Sequence, residues 1–240
     1  MARGGRVGDR AGFARRLLVA NNGVMAYFQG ARGRLHYRCW PAVDPNPVAI
    51  VGFLPGSGQH SGHYHRFGRA LSRRNIETRC LDTAGQGLSE GDPGAPGTLT
   101  ELVADAAMLA ALTRSERCDV PFVLAGHSLG AATCLAAAAR PELSGCLALV
   151  LTGTPERAVT PAAGPPPELP ILALHGVDDR RAPVDAVRAW TARYRSVGLH
   201  EYPDAGHDLL HEPVHAAVTA DIAEWIREVA DRRAGAAYVG

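Results

Sequence analysis

Five residues, Gly126-His127-Ser128-Leu129-Gly130, constrain this chain more than any other stretch. The apolar run Phe122–Ala125 leads into them, and the alanine-rich segment Leu129–Arg140 leaves them with helical character. A strand that becomes a helix across one residue turns sharply. Side chains two before and two after Ser128 would collide, so glycine is expected at both places. The turn lifts the Ser128 hydroxyl off the strand end and aims the next helix's first N–H groups at the same point. A continuous apolar strand feeding a helix in this way belongs to a parallel sheet covered on both faces.

The rest of the chain repeats that alternation. Met25–Gln29 and Arg34–Trp40 read as strands joined by a Gly30-Ala31-Arg32-Gly33 turn, an N-terminal hairpin. Val48–Leu54 is continuously apolar, and a helix at about Tyr64–Arg74 separates it from strand Glu77–Leu81. After the Gly-rich loop Ala84–Gly97, Thr98 and Glu101 form a capping box at the start of a helix. Strands Leu147–Leu151, Ile171–Leu174 and Gly198–Tyr202 follow, with helices at Pro183–Tyr194 and about Pro213–Arg232. The expected fold class is α/β: a mostly parallel, doubly wound sheet with an antiparallel N-terminal hairpin. Residues 1–22 read as a flexible or accessory extension and 23–240 as one domain.

Composition narrows the partners. A net charge of +1 over 240 residues gives no basic footprint for nucleic acid. The chain has no lysine, which excludes a lysine Schiff base and a P-loop. Five cysteines without a C-x-x-C pair suit reduced thiols in the cytoplasm. No stretch approaches the ~20 apolar residues of a membrane span, and the apolar run after Arg15-Arg16 stops at Asn21-Asn22, too early for an export signal.

Active sites of open α/β sheets lie at the carboxyl ends of strands. A serine hydroxyl there needs a base. His207, in Pro203-Asp204-Ala205-Gly206-His207, follows the strand Gly198–Tyr202, and its glycine suits a loop that turns the imidazole inward. Asp178 and Asp179 follow Ile171–Leu174, and either could orient the histidine, with Asp179 preferred. The order serine, acid, histidine is that of nucleophilic acyl transfer on this architecture. No metal or organic cofactor is implied.

These motifs resemble the monoacylglycerol lipase and lysophospholipase branch of the α/β-hydrolases, related to the serine aminopeptidases. Gly56-Ser57-Gly58-Gln59-His60-Ser61-Gly62-His63-Tyr64 is similar to its G-x-G-E-H-S-G-R-Y signature. Asp82-Thr83-Ala84-Gly85-Gln86-Gly87-Leu88-Ser89-Glu90-Gly91 resembles its D-x-x-G-x-G-x-S-x-G loop. The resemblance implies an α/β-hydrolase fold, a Ser128–His207–Asp179 triad and an oxyanion hole at the N–H groups of Ser57 and Leu129. Position in the chain agrees: Leu129 follows the nucleophile, and Ser57 follows a central strand. The implied activity is carboxylic-ester hydrolysis, with thioester hydrolysis or acyl transfer as the alternative; the substrate is a small ester or thioester. Two departures stand out. Pro55 replaces the family's usual histidine before Gly56, and Thr152–Pro170, with three consecutive prolines, replaces a helical lid. That segment predicts minimal or no cap, an open cleft and a preference for short acyl groups.

Three other patterns compete. Val48–Leu54, Gly56-x-Gly58-x-x-x-Gly62 and Asp82 imitate the start of a nicotinamide-dependent oxidoreductase. His211-Glu212-Pro213-Val214-His215 spells a zinc-protease string, but Pro213 suits a first helical turn and leaves His211 outside it. A non-enzymatic relative acting as a receptor or scaffold would be expected to lack a triad member. His60, His63 and His65 are read as loop and helix-entry residues.

Overall fold

Strand β4 (Ala49–Leu54) and strand β6 (Phe122–His127) are buried along their whole length, as continuous apolar runs in the middle of a sheet should be. They are neighbours in a nine-stranded sheet of order β1-β2-β3-β5-β4-β6-β7-β8-β9. The other strands are β1 (Leu18–Ala20), β2 (Gly23–Gly30), β3 (Gly33–Trp40), β5 (Ile76–Leu81), β7 (Ala148–Thr152), β8 (Ile171–Gly176) and β9 (Val197–Tyr202). The computed structural model describes residues 18–20, 23–95, 97–159 and 164–237. Of the N-terminal extension expected at 1–22, only 18–20 are among them, and they pair antiparallel with β2.

The hairpin β2–β3 joins β5 antiparallel, and every pairing from β5 to β9 is parallel. The doubly wound sheet with an antiparallel start expected from the sequence is therefore present. Helices α1 (His65–Ser72) and α6 (His215–Ala237) cover one face, packing Phe67, Leu71, Val218 and Ile222 against it. Helices α2 (Leu99–Glu116), α3 (Leu129–Ala137) and α5 (Val184–Thr191) cover the other, with Leu109, Cys134, Val187 and Trp190. The Thr98–Glu101 capping box closes α2: the Glu101 N–H donates to Thr98 Oγ1 at 3.3 Å and the Thr98 N–H to Glu101 Oε2 at 2.7 Å.

Element ends differ from the sequence reading where local chemistry intervenes. The helix expected over Tyr64–Arg74 is a 3₁₀ turn, Ser61–Tyr64, capped by His60, followed by the shorter α1. Helix α3 stops at Ala137 rather than Arg140, and Arg140, directly before Pro141, is extended at φ −75° and ψ 139°. The connection after β7 holds one helical turn, α4 (Glu156–Val159), where no helix was expected. Among the described residues no helix is long and apolar enough to cross a membrane.

Candidate active site

The sheet order fixes where a site can form. From β4 the chain moves to β5 on one side, and from β6 to β7 on the other. The crevice outside the carboxyl ends of β4 and β6 is thus a topological switch point, the place where open α/β sheets bind ligands. Ser57 follows β4 there and Ser128 follows β6.

Ser128 links β6 to α3 with φ 52° and ψ −110°, a conformation that costs a non-glycine residue about 1–3 kcal/mol. Its N–H donates to the carbonyl of Thr152 at 2.9 Å, which ties the turn to the end of β7. A Cβ on Gly126 would run into the Gly130 carbonyl, as the sequence suggested. A Cβ on Gly130 would instead strike the Leu54 carbonyl oxygen. The second glycine is therefore required by β4, and it lets the loop carrying Ser57 lie close to the start of α3.

His207 Nε2 lies 3.0 Å from Ser128 Oγ, and His207 Nδ1 lies 2.7 Å from Asp179 Oδ2. Asp179 also accepts the Arg181 and Ala182 N–H groups at 2.8 Å each, and His175 Nε2 lies 3.2 Å away. Burial opposes its charge, but hydrogen bonds from His175, His207 and Ala182 outweigh it and hold Asp179 far below the ordinary carboxylate range. An ionised carboxylate only accepts, so Nδ1 of His207 carries the proton and Nε2 can accept from the Ser128 hydroxyl. Asp178, the sequence alternative, is exposed, and its N–H donates to the Ala205 carbonyl at 2.9 Å. Gly176 lets these loops meet, since a Cβ there would overlap the Ala205 and Gly206 carbonyls.

Sequence reasoning missed the side chains that hold the loop where Pro55 replaces histidine. Gln59 Oε1 accepts the Gly56 N–H at 3.1 Å and the Tyr64 hydroxyl at 2.5 Å, while Gln59 Nε2 donates to Asp208 Oδ1 at 3.0 Å. The same Asp208 oxygen lies 3.1 Å from His127 Nε2, and His127 Nδ1 lies 3.1 Å from Thr152 Oγ1. Burial lowers the pKa of His127 against the pull of Asp208, so a neutral ring donates from Nε2 and accepts from Thr152. Asp208 is held far below the usual carboxylate range by His127, against the opposing effect of burial. One chain of hydrogen bonds thus joins the Ser128 turn, the residue after His207 and the loop before Ser57. The signal available was Gln59 at the signature's acidic position. Gln59→Ala should lower kcat by about ten- to hundredfold, the worth of one or two stranded polar groups, with the fold retained. Steady-state kinetics beside a thermal melt checks this, and an unchanged kcat would mean the loop is braced elsewhere.

The competing constellations find other uses. Asp82 is buried and accepts from Ser61 N at 2.6 Å and Leu88 N at 2.9 Å, with His36 Nδ1 at 2.8 Å, so it is not free for a ribose. Glu212 accepts the N–H groups of Gly206 at 2.6 Å and Asp208 at 3.0 Å, bracing the His207 loop; α6 begins only at His215. Among the described residues no group of three or more His, Cys, Asp or Glu could hold a metal ion.

Asp82 has a consequence for pH. Burial opposes its charge, yet hydrogen bonds from His36, Leu88 and Ser61 lower its pKa in the folded state. A depressed folded pKa stabilises above the unfolded value, about 3.9, and the contribution is lost as pH falls below it. Asp82→Asn should melt lower than wild type at pH 7, and the gap should narrow toward pH 3. Melting curves across that range test it, and a constant gap would contradict it.

Ser128, His207, Ser57, Gln59 and Asp208 line a cleft of about 210 Å³ with Arg157 and Arg181. Beside it lies a larger apolar pocket of about 390 Å³, walled by Leu129, Ala132 and Ala136 of α3, by Val159 and Pro165, and by Trp190 of α5. The lid-replacing segment is too short for a cap, but α4 and Pro165-Pro166 close one side of a pocket that starts at Leu129, next to Ser128.

The profile of the serine aminopeptidase, S33 family matches residues 45–168, just over half the chain. A monoacylglycerol lipase of Mycolicibacterium smegmatis is 26% identical over 271 aligned positions, covering 83% of this chain and 95% of that protein. A soluble variant of monoglyceride lipase from Saccharomyces cerevisiae, solved with a substrate analogue, superposes with a TM-score of 0.74 at 15% identity, covering 85% of this chain and 94% of that one. A serine hydrolase without a lid from Xanthomonas campestris superposes with a TM-score of 0.68 at 20% identity, covering 90% of this chain and 96% of that one.

Proposed function

The chain belongs to the serine aminopeptidase, S33 family of α/β-hydrolases, and from that premise we propose that it cleaves carboxylic esters through an acyl-enzyme on Ser128. It is a carboxylic-ester hydrolase of the serine type. The observation that carries the residue roles is the relay Asp179–His207–Ser128, at 2.7 and 3.0 Å, assembled from loops after three different strands.

Ser128 Oγ attacks the acyl carbon as its proton passes to His207 Nε2, and ionised Asp179 stabilises the imidazolium while fixing its orientation. The N–H groups of Ser57 and Leu129 receive the oxyanion. His207 then protonates the departing alkoxide, and a water attacks the acyl-enzyme by the reverse sequence, releasing the acid. The five free thiols suit a reducing cytoplasm.

The apolar pocket beside Leu129 takes the acyl chain. Each methylene buried there contributes roughly 0.8 kcal/mol, so kcat/KM should climb about fourfold per methylene until the pocket is filled. Soluble p-nitrophenyl esters from acetyl to lauroyl, with matched thioesters, test it in wild type and Ala136→Phe. Wild type should peak at a medium chain and the variant should shift toward acetyl. A flat profile that Ala136→Phe leaves unaltered would remove the pocket from the reading.

A further inference from the structure

The cleft holds two cations to which the acyl-enzyme route gives no task. Arg157 of α4 and Arg181 of the loop after β8 share it with Ser128 and His207, both are exposed, and Arg157 also lines the adjoining apolar pocket. Among the described residues neither side chain has a hydrogen bond or a carboxylate within 4.0 Å. The acid lining the cleft, Asp208, is hydrogen-bonded to His127 and Gln59 and forms no ion pair with either arginine. Both are anchored at their backbones. The Arg181 N–H is bound by Asp179, the partner of His207, and Arg157 lies on a turn fixed by buried Val159. Among the described residues neither guanidinium has a partner, and their forked donors match phosphate and carboxylate oxygens.

We propose that Arg157 and Arg181 bind an anionic group, a phosphate or a carboxylate, on the alcohol portion of the substrate ester. This rests on the serine-esterase reading, in which the acyl chain occupies the apolar pocket and the alcohol portion the open cleft. Acyl transfer forms the bond from Ser128 Oγ to the acyl carbon and breaks the bond from that carbon to the alcohol oxygen. His207 protonates that oxygen, and the alcohol leaves with its negative charge still between the arginines.

Binding separates this proposal from the catalytic one. In the full-length protein, 4-hexyloxybenzoate and 4-hexyloxyphenylphosphonate are compared with neutral 4-hexyloxybenzamide, none of which carries an ester. Wild type should bind at least one anion about tenfold or more tightly than the amide at low salt, with the preference shrinking as salt rises. Arg157→Gln/Arg181→Gln should erase it. Turnover is read on the hexanoyl esters of 4-hydroxybenzoate and 4-hydroxybenzamide. Their kcat/KM ratio, compared between wild type and variant, cancels the different leaving-group chemistry and should fall about tenfold or more. Equal affinity for anion and amide, or a preference that the double variant keeps, would overturn the proposal. Anion preference without turnover of any ester would support the arginine site while striking the esterase reading.

Discussion

Ser128→Ala is expected to fold as the wild type does and to lose ester turnover by several orders of magnitude. What remains should be the contribution of the oxyanion donors and of binding, about 10³–10⁴ over water. The substitution removes the proposed nucleophile and its hydrogen bond to His207 but leaves the Ser57 and Leu129 N–H groups where they are. A fluorophosphonate should label wild type and not the variant; labelling that persists would place the nucleophile elsewhere. Stability gives a second readout. Alanine at φ 52° keeps the backbone strain, whereas glycine relieves it. That strain, about 1–3 kcal/mol, exceeds the roughly 0.4–1 kcal/mol that glycine loses to unfolded-state entropy. Ser128→Gly should therefore melt above Ser128→Ala, as expected where a strained turn serves chemistry at the cost of stability.

Much of this was legible because local sequence and global fold agree. The apolar runs at β4 and β6 are buried on both faces, and the glycines around Ser128 report a turn that no other residue type permits. The residues that brace the site were harder to read. Gln59 and Asp208 are 149 positions apart, and their meeting depends on where β4 and the loop after β9 end, which periodicity does not encode. Glu212 was visible only as part of a metal-binding string, and its use in holding Gly206 and Asp208 follows from the turn before α6. The pocket was missed for a similar reason. A segment too short to form a lid can still wall a groove, once α3 presents small side chains such as Ala132 and Ala136 to it.

Asp179→Asn should cost about 10⁴ in kcat, whereas Asp178→Asn should change it by no more than about twofold, as exposed substitutions do. The carboxylate oxygens of Asp179 have separate duties. Oδ1 accepts two backbone N–H groups, and Oδ2 faces His207 Nδ1. In the asparagine variant the amide oxygen can keep the backbone bonds, so the loop should hold its shape. The amide nitrogen then points a donor at His207 Nδ1, which must give up its proton to accept. That drives the imidazole into the tautomer protonated at Nε2, which cannot take the proton from the Ser128 hydroxyl. The negative charge that would stabilise the imidazolium is lost as well. Asp178 has no such part, because its N–H, and not its exposed carboxylate, makes the bond to Ala205. Rates of ester turnover and of fluorophosphonate labelling should fall together in Asp179→Asn, with a melting temperature at pH 7 below that of wild type, because the ionised form is stabilised in the folded state. A greater loss in Asp178→Asn would move the acid by one residue and require the loop after β8 to be rebuilt around it.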